Sequence, residues 1–248
     1  MTETPAIRFE HVSKAFGKLK VLDDVSFDIT PGTAFCLLGR SGTGKSVVLK
    51  HIIGLLKPDR GSIFIDGKEI TDLESRELSS LRLGMGYLFQ HAALFDSISV
   101  GENVAFTMRR NTDHGDAAIR EIAKQKLSDV GLGGQYDKMP PALSGGMRKR
   151  AGLARAMALD PSILLIDEPS AGLDPITARE IDSLLIRLKS NQGVTLVVVT
   201  HNIPSARRIA DELAMLHEGK IVARGSVSEL DRSDNELVKL FMQSEGSG

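Results

Sequence analysis

The 248-residue chain carries a single cysteine, so no intrachain disulfide can form. Cys36 sits inside a short apolar run, where a thiol reads as a small core residue. Charge of neither sign is in excess: 31 Lys and Arg against 32 Asp and Glu leave a net charge of −1. A general nucleic-acid binder normally has a basic domain, so no nucleic-acid partner is expected. Long hydrophobic runs are missing too. No window approaches the ~20 apolar residues of a bilayer span. The opening MTETPAIRFE lacks the apolar core of a signal peptide. The chain is therefore expected to be soluble and cytosolic unless a partner holds it at a membrane. His11, His51, His91, His114 and His217 show no metal-ligand spacing, so no zinc site is expected. There is no internal repeat and no low-complexity tract. The length suits one large α/β domain, with a small subdomain and a sizeable core.

What is present centres on residues 33–49, TAFCLLGRSGTGKSVVL. Residues 33–38 are almost continuously apolar, as a strand covered on both faces would be. A glycine-rich turn follows, then a helical apolar pattern from Val47 to Leu56. Gly39, Arg40, Ser41, Gly42, Thr43, Gly44, Lys45 and Ser46 fit the phosphate loop G-x-x-x-x-G-K-[ST] at every fixed position. Glycines at 39, 42 and 44 let the backbone wrap closely and aim its N–H groups at phosphate oxygens. The new helix points its positive end at the same anion. Lys45 is expected to reach the β- and γ-phosphates, and Ser46 to offer its hydroxyl to Mg²⁺.

Upstream, IRFEHV (7–12) and VSFDI (25–29) alternate apolar and polar, as half-exposed antiparallel strands do. Phe16 lies in the link between them. Locally it reads equally as a packed loop aromatic or as a flat face for an adenine ring. Downstream, KPDRG (57–61) is a turn, 62–65 a strand and Asp66-Gly67 a hairpin turn. Residues 75–83 read as a helix and 86–89 as another apolar strand, ending at Gln90. Residues 102–110 and 113–130 read as helices. This helical block interrupts the strand–helix alternation, which assigns about 91–158 to a subdomain until Pro140-Pro141 stops the block. LSGGM (143–147) then opens a helix to about 159, with Ser144 as N-cap and Gly145 and Gly146 allowing close approach to an anion. Arg148-Lys149-Arg150 reads as a solvated helix face rather than a lipid patch. Residues 162–166 form a buried-type strand ending in Asp167-Glu168-Pro169, SAGLDP (170–175) a turn and 176–188 a helix. The apolar strand 194–199 delivers His201 at its end, and Pro204 starts a further helix. Residues 213–216 and 220–223 pair around Glu218-Gly219, and 226–241 read as one helix before a flexible SEGSG end.

Ligands of an open parallel sheet bind beyond the carboxyl ends of its strands. The phosphate loop, Gln90, Asp167-Glu168 and His201 each follow a strand-like run, so four runs send polar groups to one edge. MgATP brings heavy negative charge for Lys45 and the loop amides to neutralise. Asp167 suits the Mg²⁺ shell, directly or through water. Glu168 is placed to orient or deprotonate the attacking water. Gln90 is expected to join the metal shell and sense the γ-phosphate, and His201 to bond that phosphate and position the water.

These motifs, in this order with Leu173-Asp174, resemble an ATP-binding-cassette (ABC) ATPase over residues 7 to about 241. The resemblance implies a P-loop NTPase core with an antiparallel β-subdomain and a helical signature subdomain, in a single nucleotide-binding domain spanning 1–248. Residues 226–248 would be its C-terminal helix and tail. It also implies a head-to-tail homodimer, in which each ATP lies between one chain's phosphate loop and the other's signature. Ser144, Gly145 and Gly146 would then serve the partner's nucleotide, and Asp174 would sit at the seam. The resemblance makes Phe16 the adenine-stacking aromatic and extends the nucleotide contacts through Val47.

Within the family, GRSGTGKSVVLKHIIGLLKPDRG, LFQHAALFDSISVGENVAF, LSGGMRKRAGLARAMALDP and AMLHEGKIVARG look like the ATPase of the Mla and MCE-associated lipid transporters. Met147 is similar to that subfamily. Val47 and Asn202 depart from a threonine and an aspartate common in the superfamily, and any longer dimer-embracing tail is missing. That likeness implies ATP hydrolysis driving a separate permease (MlaE-like), docked in a cleft around Ala92 to Val100 and holding the ATPase at the cytoplasmic side of the inner membrane. Without the likeness that stretch reads equally as subdomain core. It further implies a periplasmic MCE-domain protein and a small STAS-type regulatory subunit. The alternative is a soluble non-transport ABC ATPase, such as an iron–sulfur assembly ATPase. A chromosome or repair ATPase would need a coiled coil between Lys45 and Ser144, and no sustained heptads occur there.

Overall fold

The N-terminal strands run further than their alternation does. In the computed structural model, which describes residues 4–243, β1 (Ile7–Phe16) and β2 (Leu19–Ile29) form a long antiparallel hairpin. Register shifts between Phe9 and Ala15, and left-handed φ angles of 52° at His11 and 57° at Asp24, interrupt strict alternation while the pairing continues. Phe16 is thus the last residue of β1, opposite Leu19, rather than part of a link.

β3 (Ala34–Leu38) leads through the glycine-rich loop into α1 (Lys45–Ile52). β4 (Arg60–Ile65) pairs with β1 and turns at Asp66-Gly67, both at positive φ, into β5 (Lys68–Glu69). Then come α2 (Ser75–Arg82), β6 (Met85–Leu88), α3 (Val100–Asn111) and α4 (Asp116–Asp129). A short 3-10 turn, Pro140–Ala142, precedes α5 (Gly145–Ala156). Ser144 caps α5 as its sequence suggests, accepting from the Met147 N–H at 3.3 Å. β7 (Ile163–Asp167), α6 (Pro175–Gln192), β8 (Thr195–Thr200), α7 (Ile203–Ile209), β9 (Glu212–His217) and β10 (Lys220–Gly225) follow.

Residues 226–241, expected as one helix, are split between α8 (Val227–Asp231) and α9 (Glu236–Gln243). The Asn235 side chain accepts from the N–H groups of Leu237 and Val238. It starts a new helix there instead of letting the first continue. The closing SEGSG lies outside the described residues.

Two sheets result. One is antiparallel, in the order β2-β1-β4-β5. The other is ordered β10-β9-β3-β8-β7-β6 and is parallel except for β10. The chain is thus an α/β P-loop NTPase fold with an antiparallel subdomain. The parallel sheet is buried on both faces. Phe35, Leu37, Leu165 and Val197 pack with Phe9, Phe27 and Leu49 of the antiparallel side. Cys36, Leu38, Leu164 and Val198 face the opposite way, onto Val104, Leu127, Leu153 and Leu185 of the helical side. Cys36 is fully buried and its thiol is pushed up by desolvation, which keeps it unreactive.

Candidate active site

Register aligns the strand ends that carry the candidate residues. Leu38 lies opposite Thr200, Asp167 opposite Val199 and Leu88 opposite Ile166. The loops after β3, β8, β7 and β6 therefore leave the sheet along one edge.

The phosphate loop is shaped by what its glycines avoid. A Cβ at Gly39 would stand 2.7 Å from the Leu216 carbonyl, and one at Gly44 2.6 Å from Cγ1 of Val21. Gly44 caps α1 at φ 101°, a backbone that side chains rarely adopt. β2 and β9 thus wall the loop closely, leaving a cradle that only glycine permits. Lys45, 6% exposed, donates from Nζ to the carbonyls of Gly39 (2.8 Å) and Arg40 (3.1 Å). Its Nζ also lies 3.4 Å from Oε1 of Glu168. Ser46 Oγ donates to Asp167 Oδ1 at 3.1 Å. Burial pushes the Asp167 carboxyl upward, the Glu168 charge adds to that, and the Ser46 hydrogen bond opposes it. A hydroxyl and a carboxylate oxygen side by side form a donor set for a hard divalent cation. Among the described residues no cluster of three or more His, Cys, Asp or Glu forms a metal cage. Two protein oxygens from Ser46 and Asp167 are a number that Mg²⁺ takes, completing its shell with phosphate and water.

Glu168 is the most constrained group. Its backbone is left-handed at φ 47°, a strained conformation for a non-glycine residue that is held by its surroundings. Its N–H donates to Val199 O at 2.9 Å. Oε2 accepts from Thr200 Oγ1 (3.0 Å) and the His201 N–H (3.3 Å), while Oε1 lies 2.9 Å from His201 Nδ1. Glutamate and histidine therefore act as a pair, with the imidazole fixing the carboxylate.

The structure brings Lys45, Ser46, Asp167, Glu168 and His201 to one place as two contact sets, Ser46 with Asp167 and Lys45 with Glu168 and His201, joined through chain neighbours 45–46 and 167–168. Gln90 is exposed on the loop after β6, one strand from Asp167, without a direct bond to them. Phe16 is 47% exposed, with Lys14 Nζ 5.7 Å from its ring centroid. Its hairpin reaches the loop through Val21. Ser144, Gly145 and Gly146 lie elsewhere. A Cβ at Gly145 would meet Leu173, and one at Gly146 would meet Thr177 at 2.4 Å. The start of α5 is thus packed on the start of α6, whose cap Asp174 accepts from Ile176 and Thr177.

One expectation is overturned. Of Arg148-Lys149-Arg150 only Arg148 is exposed, whereas Lys149 is 5% exposed and donates to the Glu168 carbonyl at 2.8 Å. Helix α5 faces the sheet edge at that position, so the charge run is not a solvated face. Lys149 and Thr200 are the polar neighbours of Glu168 that the sequence reading missed. Thr200 has a local signal, the one hydroxyl closing VVVT; Lys149, flanked by arginines, has none.

A glycine cradle, a Ser-Asp pair for a cation and a Glu-His pair above them describe a nucleotide-hydrolysing site. Residues 22–171 match the ABC transporter family, and the chain belongs to it: it is an ATP-binding-cassette ATPase. Over 237 residues it is 45% identical to the probable ribonucleotide transport ATP-binding protein mkl of Mycobacterium leprae (strain TN), covering 96% of this chain and 68% of that one. It spans 66% of the Mycobacterium tuberculosis counterpart. It is 40% identical over 232 residues to the intermembrane phospholipid transport system ATP-binding protein MlaF of Haemophilus influenzae, covering 94% of this chain and 88% of that one. A solved dimeric bacterial ABC transporter cassette superposes with a TM-score of 0.83 at 32% identity, over 89% of this chain and 98% of that one. A dimeric post-hydrolysis cassette bound to ADP and Pi superposes with a TM-score of 0.82 at 31% identity, over the same shares of the two chains.

Proposed function

We propose that this chain is the ATP-hydrolysing subunit of a transporter that moves phospholipid between membranes, working as a homodimer against a separate permease. The observation that carries the hydrolytic reading is the convergence of the Ser46–Asp167 pair and the Lys45–Glu168–His201 set at one sheet edge. The loop amides and Lys45 bind and orient the phosphates. Glu168 takes a proton from the attacking water as the new P–O bond forms and the bond to the leaving ADP oxygen breaks. His201 holds that carboxylate and would bond the γ-phosphate, and Gln90 would join the metal shell. Ser46 and Asp167 would hold Mg²⁺, which would supply charge neutralisation to the phosphates. Phe16 offers its exposed face to adenine.

Pairing is supported by the placement of Ser144, Gly145 and Gly146. They form a helix start suited to an anion, with Ser144 and Gly145 exposed, yet the residues nearest the two glycines are Leu173 and Thr177, before and within α6. A second copy's nucleotide gives them a ligand, and the neighbouring cassettes were solved as dimers. About 91–158 act as the helical subdomain of this single nucleotide-binding domain.

A permease contact is supported by a groove of about 460 Å³ that includes Tyr87, Phe89, Ala93, Phe95, Phe106 and Arg155. Phe95 and Phe106 are 47% and 38% exposed and lie 5.2 Å apart. Arg155 donates to the carbonyls of Ala92 and Ala93, and buried Asn103 bonds both backbone groups of Phe95. The rim is thereby rigid enough to receive a short helix. Among the described residues no helix is long and apolar enough to cross a membrane, so attachment at the cytoplasmic face of the inner membrane falls to that permease. An MCE-domain protein and a STAS-type subunit would complete the assembly. Phospholipid is favoured over ribonucleotide because the MlaF relative is covered over 88% of its length and mkl over 68%.

Tagged chain taken from native membranes should bring down a polytopic membrane protein. The pair Phe95→Asp and Phe106→Asp should lose that protein while keeping ATP turnover. No co-purifying permease would remove the transporter reading. ATP-driven movement of labelled ribonucleotide instead of phospholipid by the reconstituted complex would replace the cargo.

A further inference from the structure

Lys149 is a lysine buried in the core-facing side of α5, and neither the phosphate loop nor the cation pair uses it. Its Nζ donates to the backbone carbonyl of Glu168 at 2.8 Å. The neighbouring arginines do other work: Arg148 donates to Leu143 O, and Arg150 lies 3.8 Å from Glu180. Removing an ammonium from water is costly, and burial lowers its pKa to about 8 although Asp167 and Glu168 pull the other way. A position that needed only filling would take a methionine at no such cost.

We infer that Lys149 is a positioning residue: its bond to the Glu168 carbonyl fixes the strained backbone from which the catalytic carboxylate projects, and ties it to the helix that begins with Ser144-Gly145-Gly146. The inference rests on the reading of Glu168 as the residue that handles the attacking water. Two bonds set the Glu168 peptide, its N–H to Val199 on β8 and its carbonyl to Lys149 on α5, with the Ala171 N–H sharing the carbonyl at 3.3 Å. β8 lies inside the sheet, paired with β3 on one side and β7 on the other. Helix α5 starts at Gly145, where the partner's nucleotide would bind, four residues and roughly 6 Å of helix before Lys149. A small shift of α5 as its first turn engages that nucleotide therefore reaches Glu168 of the other pocket through one hydrogen bond. Such displacements matter, because about 1 Å of misplacement can cost about a hundredfold in rate.

The test compares wild type, Lys149→Met, Lys149→Arg, Glu168→Gln and the double variant Lys149→Met/Glu168→Gln, all as full chains, for MgATP affinity and single-turnover hydrolysis. Lys149→Met should lose about tenfold or more in hydrolysis rate with ATP affinity within about threefold of wild type. Lys149→Arg, which keeps a charged donor, should recover most of the rate. In the Glu168→Gln background, Lys149→Met should cost little more, since the group it positions is already gone. Should Lys149→Met fail to fold, Lys149→Gln, with a shorter neutral donor, should show the same split between rate and affinity. A wild-type rate in a folded Lys149→Met or Lys149→Gln, a parallel loss of affinity and rate, or a full additional loss on Glu168→Gln would each overturn the inference. A normal rate for Glu168→Gln alone would instead overturn the reading of Glu168.

Discussion

Two glycines of one loop separate backbone strain from steric exclusion. Gly42 and Gly44 both have positive φ, 80° and 101°. A Cβ at Gly42 meets nothing within 4 Å, whereas one at Gly44 lies 2.6 Å from Val21 Cγ1 and 3.1 Å from Val21 O. Gly42→Ala therefore carries only the left-handed backbone term, about 1–2 kcal/mol. Gly44→Ala carries that term and an overpacking term of about 1–3 kcal/mol, for a total of about 2–5 kcal/mol. At about 2–4 °C per kcal/mol for a chain of this size, the two should differ clearly in thermal unfolding. ATP should still raise the Tm of Gly42→Ala, because its cradle keeps its wall. It should raise that of Gly44→Ala little, because the helix start that faces the phosphates has moved. Val21→Ala added to Gly44→Ala should cost less than the sum of the two single changes. Equal losses for Gly42→Ala and Gly44→Ala, or strict additivity with Val21→Ala, would refute the claim that β2 sets the shape of the phosphate loop.

Glu168→Gln should bind ATP, accumulate as an ATP-bound dimer on gel filtration and lose most turnover, while Lys45→Ala should lose ATP binding or hydrolysis. The Arg109 guanidinium beside Glu102 holds its carboxyl below the ordinary 4.5, and Tyr136 donates a second bond. A depressed folded-state pKa contributes stability that is present above the ordinary value and is lost progressively as pH falls from there through the folded-state pKa. Glu102→Gln should thus lower Tm at pH 7, by an amount that shrinks as pH falls below 4.5; a deficit that stays constant through that acid range would contradict this. Asp182 is fully buried on α6 and accepts from Ser205 and from Arg208 on α7. Asp182→Ala leaves those donors unpaired and should cost about 3 kcal/mol in urea unfolding.

The parts legible in the sequence were those written in residue types that only one structure wants. The Gly-Lys-Ser pattern between an apolar strand and a helix marked the glycine-rich loop, and apolar strands ending in Asp-Glu and His marked the sheet edge where these residues meet. Where the chain used a residue against its habit, the pattern failed. His11 and Asp24 take left-handed backbone within the hairpin, so β1 and β2 were longer than their alternation. Ala92 and Ala93 also have positive φ, 60° and 49°, and nothing about alanine announces it. Asn103, on the helix that follows, bonds Phe95 beside them, and Arg155, 63 positions away, holds Ala92 itself. Lys149 failed for a related reason: a lysine between two arginines carries no mark of burial until the helix is docked on the sheet.

The account stands on two copies each completing the other's pocket, and mixing inactive variants addresses this most directly. A Lys45→Ala chain keeps its helix start at Ser144, and a Ser144→Arg chain keeps its phosphate loop. Each alone should be inactive, while a mixed pair should contain one whole pocket and recover ATP hydrolysis. Mixed pairs that demonstrably assemble yet stay inactive would contradict the shared pocket.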